Sequence, residues 1–343
     1  MDFQMDFHER FAQARESWLP EIMALMDETI HSSVPAGSTL PGMARYHMDT
    51  GGKRLRALLP LLTAGALGRD PASLVPLGAA CEILHNATLV HDDLQDGDRV
   101  RRGRPTIWTH YGKPQAINLG DAMFYWTLLL VHRLDAPPVL REAVAKRVLL
   151  ETLRVIDGQE QEFRLKGKPA SLAGYYSMVE GKTSGLFALP MAGAAVVCEA
   201  PPAVVDDLAE AARHMGVLFQ IQDDVLDLFG SKGRDMVGTD IAEGKHSVLV
   251  VHALTTLPPE NAQWLQAVLD APRQDTRPEQ VARAIELMRS CGALDFALAE
   301  LARRRDAALG VASVAASPEL TQLVGGMCDV FLGPIQPLIE VQT

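Results

Sequence analysis

The sequence is poor in cysteine and in long uninterrupted apolar runs, and each shortage excludes something. Four cysteines, Cys81, Cys198, Cys291 and Cys328, are scattered through 343 residues without CxxC spacing. That pattern excludes a disulfide framework or a zinc ribbon and fits reduced core thiols in a cytoplasmic protein. The opening MDFQMDFHERF has neither a basic start nor an apolar stretch, so it does not read as a secretory signal. The longest apolar run, Leu186 to Cys198, contains Pro190 and is too short to span a bilayer, so no stable membrane insertion is expected. A formal charge of -11 argues against nucleic acid as the partner, although local Lys and Arg clusters can hold phosphate within an acidic protein. Period-two runs bounded by hairpin turns are missing as well.

What is present is a sizeable core, with 48% hydrophobic residues recurring at spacings of three and four. That periodicity predicts an all-α chain. Breakers mark helix boundaries at Pro35 to Pro41, Gly68 to Pro71, Gly97 to Pro105, Ala136 to Pro138, Gly167 to Pro169, Pro201 to Pro202, Gly230 to Gly244 and Pro258 to Pro259. No composition shift separates the halves. Residues 1–343 are therefore expected to form one domain, a helical bundle around a central cavity. Ala203 to Phe229 is apolar on most faces, as a buried helix would be.

The chemistry concentrates between Leu84 and Trp108, LHNATLVHDDLQDGDRVRRGRPTIW, where acids and arginines follow an apolar run. On a helix the spacing of Asp92 and Asp96 stacks both carboxylates on one face, with Asp93 beside them. Hard divalent cations such as Mg²⁺ take one or two carboxylates together with water and phosphate oxygens. Arg101 and Arg102 follow, and guanidinium forks suit phosphate. The pattern returns in FQIQDDVLDLFG, where Asp223, Asp224 and Asp227 repeat the spacing. A lone cluster would read as a solvated acidic face. Two clusters, each flanked by apolar residues that draw it towards a core, read as metal and diphosphate chemistry.

Smaller motifs fit the same reading, each with a plainer alternative. GGKRLR, carrying Lys53 and Arg56, suits either a phosphate site or an ordinary helix start. His85 lies two helical turns before Asp92 and serves as either a core histidine or a diphosphate donor. Lys182 and Thr183 in EGKTSGL offer a cation and a hydroxyl, but the upstream glycine of a P-loop is missing. Gln159 in DGQEQEF is polar within a helical stretch, and Glu160 and Glu162 fit a solvent-facing side of it. SKGRDMVGTDIAEGK, Ser231 to Lys245, fits either a mobile lid with Lys232, Arg234 and Lys245 or a plain charged loop.

In their order, GGKRLR, HDDLQD with RRGRPT, GQ, KTSG and FQIQDDVLD with GTDI resemble the trans-isoprenyl diphosphate synthases, also called polyprenyl synthetases. The resemblance runs from about Gly51 to about Leu254. It implies the all-α isoprenoid synthase bundle, a homodimer, and a trans-prenyltransferase that condenses isopentenyl diphosphate with a dimethylallyl, geranyl or farnesyl diphosphate. It implies Mg²⁺, three ions per active site, on Asp92, Asp93 and Asp96 and on Asp223, Asp224 and Asp227. Of these, Asp92, Asp93, Asp96 and Asp223, with Lys182, are the implied catalytic groups. By the same resemblance Arg101, Lys182, Thr183, Gln220 and Lys245 contact the allylic diphosphate, and Lys53, Arg56, His85 and Arg102 hold isopentenyl diphosphate.

Three positions depart from the family pattern. Met236 stands where many members carry a loop lysine, with Lys232 and Arg234 as candidate replacements, and the C-terminal PIQPLIEVQT lacks a basic tail. Glu162 replaces the aspartate common after GQ. Ala87 and Thr88 are small where short-chain farnesyl synthases place an aromatic, which favours geranylgeranyl diphosphate as product. Phe124, Tyr125 and Trp126 offer a deeper floor or belong to the core. The second motif is more like that of farnesyl synthases. A farnesyl or longer-chain synthase, a terpene cyclase and a non-catalytic subunit of a heteromeric synthase are the alternatives. The intact second DDxxD and GGKRLR speak against the last two.

Overall fold

The computed structural model describes residues 5–166, 168–230 and 238–340. The described chain divides into two compact units, Met1–Leu150 with Ala188–Ala209 and Glu151–Phe187 with Glu210–Thr343.

The first unit begins with α1 (Phe7–Ser32), whose start is capped by Asp6 accepting from the Glu9 amide at 2.8 Å. It continues through α2 (Leu40–Met48), α3 (Leu55–Ala66), α4 (Val75–Gln95), the short α5 (Ile107–Tyr111) and α6 (Lys113–His132). The central element is α4, packed against α1, α3 and α6. Its residues Leu77, Ile83, Leu84, Ala87 and Val90 are buried with Leu58, Leu59 and Leu61 of α3 and Leu119, Met123 and Leu130 of α6. Pro71–Gln95 is long and apolar enough to cross a membrane, but 78% of its apolar window is buried inside the protein. The apolar run expected to be longest, Leu186 to Cys198, falls largely in a shorter helix.

Four helices follow: α7 (Pro138–Leu165), α8 (Leu172–Val179), α9 (Gly185–Val197) and α10 (Pro202–Phe229). Between α8 and α9 lies one turn of π-helix, Glu180–Ser184. The second unit also contains α11 (Thr239–Ala242) and α12 (Val248–Thr256), the latter capped by Ser247, which accepts from the Val250 amide at 3.3 Å. The helices Pro259–Leu269, Pro278–Ser290, Ala293–Gly310 and Pro318–Leu332 complete it. All four cysteines are free thiols.

The all-α expectation holds, with one addition. Val100–Arg101 pairs antiparallel with Arg104–Pro105, a two-residue hairpin too short to leave any alternation in the sequence. Proline and glycine breakers coincide with most helix ends, yet Pro20, Pro60 and Pro190 sit inside helices.

Close packing of α4 on α3 requires a residue without a side chain at Gly78, where an added Cβ would lie 2.4 Å from the Ala57 carbonyl oxygen. Gly78→Ala is expected to cost about 1–3 kcal/mol in denaturant unfolding, because the obstacle is backbone rather than a movable side chain. A loss below about 0.5 kcal/mol would mean that the two helices separate freely there.

Candidate active site

In the first unit the acids and cations meet at the C-terminal end of α4. Asp93 is 1% exposed, and Arg101 in the hairpin grips its Oδ1 through Nε and Nη2, both at 2.7 Å. Burial nevertheless lifts the Asp93 carboxyl above its ordinary value. Its Oδ2 is buried and has no protein partner. Asp92 and Asp96 are partly exposed, and Asp96 is the C-cap of α4, its amide bonded to the Asp92 carbonyl at 2.8 Å.

Behind these acids lies a cationic cluster. Gly51 and Gly52 have positive φ, and an added Cβ on Gly52 would lie 2.7 Å from Arg102 Nη1, so the glycines let the arginine approach the turn. Arg102 donates to the Gly51 carbonyl. Lys53 is exposed, whereas Arg56 is 8% exposed with Nη1 3.3 Å from His85 Nε2. A guanidinium has no acceptor, so Nε2 accepts and the His85 proton is on Nδ1, a buried donor without a protein partner. Burial, and then Arg56, Arg101, Arg102 and His47, hold the His85 pKa well below the usual histidine value. Burial also lowers that of Arg56 to about 10.

Two parts of this cluster had weak sequence signals. Arg54 occupies a left-handed conformation at the head of α3 and pairs with the buried Glu82 at 2.7 Å, while the Asn86 amide also reaches Glu82, at 3.1 Å. A lone acid inside an apolar helix, as Glu82 is, was the available clue. His47, 3% exposed with Nε2 unpartnered, carried none.

The second unit holds the other acids. Asp224 is 3% exposed and accepts from Tyr175 Oη (2.8 Å), Gln220 Nε2 (2.9 Å) and the Val248 amide (2.9 Å). Burial outweighs these donors and raises its pKa to about 6. Thr183 Oγ1 donates to Gln220 Oε1 at 3.0 Å, so Thr183, Gln220 and Asp224 form one chain of bonds. Asp227 accepts from Thr239 Oγ1 at 2.6 Å and from the Asp240 amide at 3.1 Å, which ties the start of α11 to α10. Asp223 is partly exposed. Lys182 Nζ bonds Glu162 Oε2 at 2.5 Å, so Glu162 does not face solvent, while the exposed Glu160 pairs with the exposed Arg164. Lys245 pairs with Glu243 at 2.7 Å and approaches Asp240 at 4.0 Å. Lys232, Arg234 and Met236 lie outside the described residues. Among the described residues no three His, Cys, Asp or Glu side chains converge as a ready-made metal cage.

Of the three aromatics on α6, Trp126 belongs to the core and donates to Ser33 Oγ at 2.8 Å, and Tyr125 points outward at 71% exposure. Phe124 lies by α4, edge-on to His91 at 5.6 Å between ring centroids.

Residues 38–288 match the family described as Polyprenyl synthetase. The chain belongs to the polyprenyl synthetase family. The synthase is 32% identical over 270 residues to a short chain isoprenyl diphosphate synthase of Methanocaldococcus jannaschii, covering 78% of this chain and 82% of that one. It is 34% identical over 267 residues to the geranylgeranyl diphosphate synthase of Mycobacterium tuberculosis, covering 74% and 75%. The crystal structure of geranylgeranyl pyrophosphate synthetase from Pyrococcus horikoshii matches with a TM-score of 0.80 at 28% identity, over 94% of this chain and 99% of that chain. This chain is thus a trans-isoprenyl diphosphate synthase, a prenyltransferase with the all-α isoprenoid synthase fold.

The buried histidines make stability depend on pH. Burial first, and then Arg101, Arg102 and Arg54, lower the His47 pKa to about 3 against the Asn86 hydrogen bond that favours its charged form. The unfolded chain binds a proton there below about pH 6.5, whereas the folded protein does not. Unfolding free energy should therefore fall on acidification below that pH, by up to about 1.4 kcal/mol per pH unit from His47 alone. Denaturant unfolding at pH 7, 6 and 5 should show a shallower loss for His47→Asn than for the wild type, and equal slopes would refute the assignment.

Proposed function

We propose that the synthase condenses isopentenyl diphosphate with an allylic diphosphate and that its main product is geranylgeranyl diphosphate. The observation that carries this reading is the presence of two charged clusters of different make-up. One is built on Arg56, His85, Arg101 and Arg102, and the other on Lys182, Thr183, Gln220 and Asp223, Asp224 and Asp227. Two clusters suit two diphosphate substrates. The buried His85 Nδ1–H, which has no protein partner, is the kind of donor a diphosphate oxygen satisfies.

The residues fit a hard divalent cation such as Mg²⁺. Asp92 and Asp96 are partly exposed one helical turn apart, and Asp93 Oδ2 is buried and unpartnered. Asp92, Asp93 and Asp96 would hold it, as would Asp223, Asp224 and Asp227. When bound, the cation draws off negative charge from the allylic diphosphate and eases its departure. Lys182, Thr183, Gln220 and Lys245 hold that diphosphate while the C–O bond breaks, its electron pair leaving on oxygen. Lys53, Arg56, His85 and Arg102 hold isopentenyl diphosphate so that its π electrons form the new C–C bond, and a proton passes to the released diphosphate. Arg101 is oriented by Asp93 towards a diphosphate oxygen. The reaction requires a site from which water is excluded, since water would otherwise capture the carbocation.

The product assignment rests on the small side chains of Ala87 and Thr88 on α4, both buried, where an aromatic would shorten the product, and on relatives named geranylgeranyl diphosphate synthase. The exposed Ile117, Tyr125 and Leu129 of α6 support a homodimer. Residues 1–343 are taken to work as a single catalytic domain.

Purified protein should elongate dimethylallyl, geranyl or farnesyl diphosphate with labelled isopentenyl diphosphate and Mg²⁺, giving a twenty-carbon alcohol after dephosphorylation. Asp92→Ala and Asp223→Ala, folded by circular dichroism, should each lose at least about 100-fold in turnover. Near-wild-type turnover in either would defeat the reading. Ala87→Phe should shorten the main product, and an unchanged twenty-carbon product would move the floor to Phe124 or elsewhere.

A further inference from the structure

Arg304 is an anomaly in the second unit. It lies in the helix Ala293–Gly310, beyond the residues 38–288 that match the family, and it is 7% exposed with its Nε unpartnered. Burying a guanidinium with a donor unmet is costly, and a leucine would fill a core position without that cost. The surroundings of Arg304 give a reason for keeping it. Its guanidinium carbon lies 4.5 Å from the ring centroid of Tyr176 on α8, and its Nη1 donates to His214 Nδ1 on α10 at 3.3 Å. The same Nη1 is 3.8 Å from Glu180 Oε1. One turn earlier on the same helix face, Glu300 accepts from Tyr176 Oη at 2.5 Å and is braced by Arg303 at 2.6 and 2.8 Å.

These contacts converge on the approach to one turn. Glu180 opens the π-helix Glu180–Ser184, and Tyr176 lies one turn before it. A π-turn is rare in an α-helical chain and persists where its surroundings hold it. Backbone contacts hold two sides. An added Cβ on Gly158 of α7 would lie 2.1 Å from the Lys182 amide nitrogen, and one on Gly216 of α10 would lie 2.5 Å from Ser184 Cα. Glycine presents no side chain to catch on, so neither contact stops the turn from sliding past it. Arg304 supplies the lateral hold, because one planar guanidinium engages the Tyr176 ring, the Glu180 carboxylate and the His214 imidazole together. The segment it holds carries Tyr175, which donates to Asp224, and then Lys182 and Thr183.

We propose that Arg304 is a positioning residue for the allylic diphosphate, acting through Tyr176 and Glu180 to set the π-turn so that Lys182 and Thr183 meet the diphosphate oxygens. This inference rests on the proposed condensation. Arg304 itself touches no substrate, and its effect is geometric. A misplacement of about 1 Å in a group that orients substrate can cost about 100-fold in rate. Thr183 passes any shift of the turn on to Gln220 and Asp224 through their chain of hydrogen bonds. Isopentenyl diphosphate is assigned to Lys53, Arg56, His85 and Arg102 of the first unit, which Arg304 does not brace, so the two substrates should respond differently to its loss.

The test is Arg304→Gln and, as a second route to the same contact, Tyr176→Leu. Both are measured for melting temperature and, well below it, for kcat and for KM with each substrate. KM for the allylic diphosphate should rise about fivefold or more, while KM for isopentenyl diphosphate stays within twofold of wild type. A variant that is merely less stable contains fewer active molecules, which lowers apparent kcat and leaves both KM values as they were. An allylic KM within twofold of wild type in folded Arg304→Gln would overturn the proposal. So would equal rises in both KM values, or failure of both variants to fold, since each would assign Arg304 to general structure. The wild type in the same assay separates the two levels. Absence of elongation by the wild type would sink the condensation itself, whereas elongation by the wild type with unchanged KM values in the variants sinks only the role of Arg304.

Discussion

Charge buried in apolar helices must be matched by a partner, and most of the site's architecture follows from that requirement. Asp93, Glu82, Asp224 and Asp227 all lie on helices whose other faces form core, and each is at most 3% exposed. In a low-dielectric interior an unmatched carboxylate is expensive, so the sequence supplies a guanidinium, a hydroxyl, an amide or a backbone N–H to each. The matches also restrain the chain. Arg101 on Asp93 ties the hairpin to α4, Arg54 on Glu82 ties the glycine-rich turn to the same helix, and Asp227 holds the first residues of α11.

The two DDxxD segments show how one spacing takes two forms. Their first aspartates, Asp92 and Asp223, are partly exposed in both, and their second, Asp93 and Asp224, are buried in both. The last positions part company. Helix α4 ends at Gln95, leaving Asp96 as a C-cap near solvent, whereas α10 continues to Phe229 and carries Asp227 into the interior. The difference lies in where each helix stops, and glycine decides that early in one case, at Gly97.

Much of this was legible beforehand. Helical periodicity with proline and glycine breakers marked the elements, and the repeated acidic spacing marked the catalytic candidates. The hairpin Val100–Arg101 with Arg104–Pro105 was not legible, because two residues per strand carry no alternation. Nor was the engagement of Glu162 with Lys182, since on its own helix Glu162 resembles its solvent-facing neighbour Glu160. Tyr175, His47 and the Arg54–Glu82 pair escaped for a similar reason, as nothing next to them in sequence signals their partners.

The sequence by itself determined the all-α class, the family and the inventory of acids and cations, because helix period, capping and motif spacing act over a few residues. Tertiary structure alone decided which charge meets which. Asp224 with Tyr175, Arg54 with Glu82 and Arg56 with His85 join residues on different elements. Such pairings depend on how whole helices pack, and packing is set by the volumes and shapes of many buried side chains together, which no local pattern encodes.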